Sequence, residues 1–232
     1  MTEPERAPET EAQAEAVSAP EPAPFGTTDL AAHVAAKLCH DFISPSGAIV
    51  SGLDLLRDPS AQDMREEAMG LIEASARKMV SIVHFARIAF GAATSAERFD
   101  ANELKSTLQG VFDHMRAELE WAGDVQTFEK PEARALLNLA YLGGGALPTG
   151  GTATVVARRD EDGLRMAVES RGPRARLKAE TLTGLKGERL TEGLAGQWIQ
   201  AFWLSQVVAD AKGFIEVETD QDLVSLRIRF PG

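Results

Sequence analysis

The sequence predicts an α+β protein: a long helical hairpin that forms a dimeric four-helix bundle, followed by an α/β sandwich domain. Three observations predict it. Apolar residues recur with helical period over two long stretches, and Asp58-Pro59-Ser60 separates those stretches. Strand-like alternation begins only in the second half, where it is interleaved with further helical segments. The chain has 232 residues and is 44% hydrophobic, enough for one or two domains with cores of their own.

The first segment, residues 1–27, is predicted to be a disordered acidic tail. It is rich in Glu, Ala and Pro and nearly devoid of large apolar side chains, so burial cannot offset the entropy of ordering it. From Thr28, where Thr28 or Asp29 can cap a helix, Leu30, Val34, Leu38, Phe42, Ile49, Leu53 and Leu56 fall on one stripe. Pro59 then breaks the helix. A second helix is expected from Ala61 to Phe90, its stripe including Met64, Ala68, Leu71, Ile72, Ser75, Met79, Ile82, Val83 and Ala86, with Gly91 ending it. Residues 28–92 thus read as one helical hairpin. Two helices bury too little alone, so dimerisation into a four-helix bundle is the simple solution; packing on the downstream domain is the alternative.

Residues 99–232 read as the α/β domain. A helix is expected over Asn102–Glu120, a short strand over Val125–Phe128 and a helix from Pro131 toward Ala146. Thr152–Arg158 and Leu164–Glu169 alternate like a hairpin around turn residues 160–163. A helix around Gly196–Ala211 and strands Phe214–Thr219 and Leu223–Phe230 complete the domain. Helices on one face of a sheet give the sandwich.

Bulk properties exclude several function classes. The net charge is −11, with six Glu against one Arg in the first 28 residues, so the concentrated positive footprint of a nucleic-acid binder is missing. A single cysteine, Cys39, rules out an internal disulfide and a cysteine-based zinc site. Apolar runs are too short for a membrane span, and the acidic N-terminus does not read as a secretory signal, so a cytoplasmic protein is expected.

The informative stretch is Cys39-His40-Asp41-Phe42-Ile43-Ser44-Pro45. His40 lies about 200° from Leu38 on the helical wheel and faces away from the apolar stripe. Its face is shared by Ala36, Ser44, Gly47, Ala48 and Ser51, all small, so a protein partner can approach the helix closely; Gly47, Ala48 and Ser51 are the candidate partner-binding positions. An exposed imidazole is a good nucleophile near neutral pH and forms a labile phosphoramidate. Phosphoryl transfer demands in-line positioning above all. Asp41 is placed to orient His40 or accept its proton, with a plain solvated acid as the alternative, and Ser44 lies one turn along as a small polar residue of the same face. Pro45 in mid-helix costs about 3 kcal/mol unless compensated, which suits a functional bend. His33, two turns earlier, lacks these companions and is read as a surface residue; His84 and His114 are read as packing or surface, and Cys39 as semi-buried.

The spacing of His40, the following acid and Pro45 resembles the H-box of histidine kinases. The second half resembles their ATP-binding (Bergerat-type) domain: Leu136-Leu137-Asn138-Leu139-Ala140, then Pro148-Thr149-Gly150-Gly151, then Glu169-Ser170-Arg171-Gly172-Pro173. The departures are pointed. Leu142 stands where that family has a second, magnesium-holding asparagine; Ser170 replaces the adenine-binding aspartate; Arg174 replaces a glycine; the phosphate loop shrinks to Gly193-Leu194-Ala195-Gly196. Leucine offers magnesium no hard oxygen. With Leu38–Leu56 and Gly172–Leu177, these features resemble the alphaproteobacterial histidine phosphotransferases of the ChpT type. That resemblance implies a homodimer without cofactor that takes a phosphoryl group from the receiver domain of a hybrid histidine kinase onto His40. It then passes the group to the receiver domains of response regulators, which carry the magnesium. An active histidine kinase and a non-catalytic scaffold for receivers are the competing readings.

Overall fold

The computed structural model describes residues 26–91, 96–191 and 195–232; the acidic tail, apart from its last two residues, lies outside them. Helix α1 runs Thr27–Arg57 and α2 runs Arg65–Ala89, joined through a 3₁₀ turn at Gln62–Met64. Gly26, not Thr28, is the N-cap, and the Asp29 carboxylate accepts the Gly26 N–H at 3.2 Å. At the other end the Asp58 carboxylate accepts both the backbone N–H and the hydroxyl of Ser60, fixing the turn. The helices pack antiparallel, closest at Gly52, where a Cβ would stand 2.6 Å from Cγ1 of Ile72 and 3.0 Å from the Ala68 carbonyl.

The remaining elements are β1 (Arg98–Asp100), α3 (Ala101–Phe112), β2 (Ala117–Trp121), β3 (Thr127–Glu129), α4 (Lys130–Gly145), β4 (Gly151–Asp160), β5 (Gly163–Arg171), α5 (Ala179–Leu185), α6 (Ala195–Asp210), β6 (Phe214–Asp220) and β7 (Leu223–Pro231). Strands order β2-β4-β5-β7-β6, with β2 parallel to β4 and the rest antiparallel; β1 and β3 form a separate pair. Ala153, Val155 and Ala157 of β4, Leu164, Met166 and Val168 of β5, and Val224, Leu226 and Ile228 of β7 are buried on one face. Helices α3, α4 and α6 supply the matching layer, with Leu104, Leu108, Leu136, Leu139 and Leu204 fully buried. Helix α4 begins at a capping box: Glu132 accepts the Glu129 N–H at 2.7 Å and is also gripped by both Nη atoms of Arg159. The grip raises the Arg159 guanidinium pKa above its ordinary value.

Two sequence expectations change. The helix expected over Asn102–Glu120 ends at Phe112, and its last part is strand β2. Ala117 pairs with Gly151 and Trp121 with Val155, so an open sheet edge outcompetes helix propensity there. The seven-residue α5 was not anticipated; it is too short for a periodic signal.

The helical pair packs on this domain rather than standing clear of it. Phe85, Ile88 and Ala89 of α2 belong to the same core as α3 and α4. The Ala89 carbonyl accepts two side-chain donors, Nδ2 of Asn138 on α4 at 3.2 Å and Nε1 of Trp203 on α6 at 2.8 Å. Leu30 and Val34 of α1 pack against the cluster of Trp198, Ile199 and Phe202 on α6.

Candidate functional site: an exposed histidine on the first helix

His40 sits midway along α1 with 86% of its side chain exposed. Pro45 is buried inside the helix, which continues through it. Proline lacks the N–H that would reach the Asp41 carbonyl, so the ladder is locally open beside the histidine; one residue on, the Ser46 hydroxyl donates to the Phe42 carbonyl at 2.8 Å.

Nδ1 of His40 lies 3.5 Å from Oδ1 of Asp41, at the long end of hydrogen-bond range. The other carboxylate oxygen of Asp41, Oδ2, accepts from Nζ of Lys37 at 2.7 Å. Ala36, Ser44, Gly47 and Ser51 are exposed and Ala48 is half-buried. A Cβ added at Gly47 meets nothing within 4 Å. The helix surface around the imidazole is therefore low and open. On its other flank, α1 and the start of α6 bound a cleft of about 290 Å³, lined by His33, Ala36, Lys37, His40, Asp41 and Gln197 among others.

The other candidates fall elsewhere. His33 is half-buried, not a plain surface residue: Nδ1 is 2.8 Å from the Asp29 carbonyl, and its ring meets Trp198 edge-on at 5.5 Å. His84 is exposed on α2 and His114 in the turn that follows α3. Cys39 is exposed rather than semi-buried. Sequence reasoning overlooked Lys37 and Tyr141. Lys37 is only 7% exposed, and its Nζ stands 5.2 Å from the centroid of the Tyr141 ring on α4. A signal for Lys37 did exist: it lies on the stripe of Leu30, Val34 and Asp41, a lone cation on a face meant for burial, four residues before an acid.

The region that resembles a nucleotide pocket is built differently. Asn138 is fully buried, its Nδ2 donating to the Ala89 and Arg134 carbonyls and its Oδ1 accepting from Nε2 of Gln200. Ser170 is fully buried and donates to the Gly143 carbonyl at 2.9 Å. Leu142 is buried. Arg174 keeps a left-handed backbone, φ 62°, of the kind glycine favours, held by its N–H donating to Asp222 at 2.8 Å. The cavity left among Tyr141, Leu142, Arg176, Lys178, Thr181 and Gln197 measures about 130 Å³. Of the shrunken phosphate loop, Gly193 and Leu194 lie outside the described residues.

The profile of the histidine phosphotransferase C-terminal domain family matches residues 101–223. The protein phosphotransferase ChpT of Brucella abortus (strain 2308) is 32% identical over 88% of this chain and 97% of its own length. The chain belongs to the histidine phosphotransferase family. As a histidine phosphotransferase it serves a phosphorelay. A bacterial phosphotransferase solved at 1.7 Å matches the whole arrangement with a TM-score of 0.79 at 28% identity, over 88% of this chain and 97% of the other. A looser likeness, TM-score 0.46 at 11% identity over 83% of this chain and 97% of the other, is to the Acinetobacter baumannii histidine kinase AdeS. Among the described residues of this phosphotransferase, no helix is long and apolar enough to cross a membrane.

Proposed function

We propose that His40 is the phosphoryl carrier, receiving the group from the aspartyl phosphate of one receiver domain and delivering it to the aspartate of another. Nε2 of His40 attacks the phosphorus in line. The N–P bond forms as the acyl phosphate P–O bond breaks, and the receiver's carboxylate leaves. The ring keeps its proton on Nδ1, and Asp41 faces the positive charge that the phosphorylated imidazole acquires. The 3.5 Å separation in the free protein shortens when a partner excludes water. Ser44, one turn along, is placed to order water; Gly47, Ala48 and Ser51 form the low ground on which a receiver seats. The single observation that carries this reading is a bare imidazole backed by an acid and surrounded by small side chains.

The working unit is a cytoplasmic homodimer. Ile43, Val50 and Leu53 on α1 and Met69, Val80 and Val83 on α2 are 39–69% exposed, an apolar surface that a second helical hairpin covers to complete a four-helix bundle. The α/β domain does not hold magnesium and nucleotide: Asn138 and Ser170 spend their polar groups on neighbouring backbone and on Gln200, Leu142 supplies no oxygen, and about 130 Å³ falls short of the roughly 300 Å³ at which ligand pockets begin. Magnesium and the acyl phosphate chemistry belong to the receivers, among them that of a hybrid histidine kinase and those of response regulators.

The test mixes a phosphorylated receiver with the wild type and with His40→Ala. Label is expected on the wild type alone. Label on both proteins refutes the assignment of His40, and self-labelling from ATP refutes the reading of the α/β domain.

A further inference from the structure

The chain of contacts behind His40 extends further than an acid. Asp41 divides its carboxylate, Oδ1 facing Nδ1 of His40 and Oδ2 taking the Lys37 ammonium at 2.7 Å. Lys37 is 7% exposed, a degree of burial that lysine accepts only when paired. Among the described residues its ammonium has two partners, the Asp41 carboxylate on its own helix and the face of the Tyr141 ring, 5.2 Å from the centroid. Tyr141 stands on α4, where eleven of sixteen residues are buried, and its ring packs against Phe85 of α2 at 5.2 Å. A rigid element of the α/β domain thereby holds a cation in place, and the cation holds the carboxylate.

We propose that Lys37, seated on Tyr141, is a positioning residue that aims Asp41 at Nδ1 of His40, so that the ring proton stays on Nδ1 and Nε2 is left as the nucleophile. The inference rests on His40 being the carrier. A free aspartate on a helix samples several rotamers, whereas with Oδ2 held by Lys37 the other oxygen, Oδ1, faces the neighbouring ring. The arrangement also gives the α/β domain a part in the chemistry: it supplies the seat from which the carboxylate is steered.

The experiment uses the full chain and one phosphorylated receiver, and measures transfer rate against receiver concentration for Lys37→Met, Lys37→Arg, Tyr141→Leu, Asp41→Asn and the Lys37→Met, Asp41→Asn double variant. Lys37→Met and Tyr141→Leu are expected to lower the saturating rate about ten- to a hundredfold, with the half-saturating concentration unchanged. Lys37→Arg is expected to restore most of the rate. In the Asp41→Asn background, Lys37→Met is expected to cost nothing more. The ¹⁵N spectrum of neutral His40 is expected to show the Nδ1–H tautomer in the wild type and a mixture in Lys37→Met. An unchanged rate in Lys37→Met, a loss that persists in the Asp41→Asn background, or a loss confined to half-saturation overturns the proposal. Should Lys37→Met fail to fold, Tyr141→Leu read against Lys37→Arg decides in the same way. These outcomes are separate from that of His40→Ala, which tests the carrier itself.

Discussion

Helices α1 and α4 are both amphipathic, yet they bury very different shares of themselves. Only Lys37, Pro45 and Gly52 are buried in the 31 residues of α1, whereas eleven of sixteen are buried in α4. The α/β domain is a finished core. The helical pair is an unfinished one, anchored at the end of α2 and along the start of α1 but open along much of its length. Two kinds of apolar residue therefore coexist in this chain: those buried in the core of the monomer and those left at its surface along α1 and α2.

Charging the open surface is expected to have the largest effect. Val50→Asp is expected to convert the dimer wholly to monomer in light scattering while leaving the α/β domain folded by circular dichroism; a Val50→Asp dimer would show that the exposed stripe serves something else. Next in size is the same contrast read as stability. Leu139→Ala, in a fully buried position, is expected to cost about 2–5 kcal/mol in urea unfolding. Val50→Ala, measured where the protein is monomeric, is expected to stay within about 0.5 kcal/mol.

Two glycines of α1 differ in the same way within one helix. Gly52→Val drives a side chain into Ile72 and is expected to cost about 1–3 kcal/mol. Gly47→Ala meets open space and is expected to stabilise the helix by up to about 1 kcal/mol while slowing phosphoryl transfer, because it raises the surface a receiver must meet. The smallest effect lies at the turn between the helices. Hydrogen bonds from the Ser60 hydroxyl and N–H hold the Asp58 carboxyl pKa below its ordinary value. A carboxyl lowered on folding contributes stability above its unfolded pKa and loses it as the pH falls through the folded pKa. Ser60→Ala is therefore expected to return the Asp58 titration, followed by NMR, toward the ordinary carboxylate range and to flatten the acid-side fall in stability.

Where the chain could be read from sequence, the signal was local. The break at Asp58-Pro59-Ser60, the small side chains around His40 and the alternation of β4 and β5 all depend on neighbours within a few residues, and the structure places each accordingly. Strand β2 was misread because its partner, β4, lies some thirty residues on, and pairing rather than periodicity decides its state. Lys37 carried a local mark of its own, but its pairing with Tyr141 did not: a cation and a ring a hundred positions apart leave no mutual sign in the sequence. Asn138 was recognised as a remnant, but its reuse by the Ala89 carbonyl depends on how α2 meets α4.

That shared carbonyl has a consequence for how the molecule works. Asn138 and Trp203 both clasp the last turn of α2, so any swing of the α/β domain against the helices must break two hydrogen bonds to one buried carbonyl. Freeing the last turn of α2 means leaving that carbonyl, and the two donors that serve it, without partners.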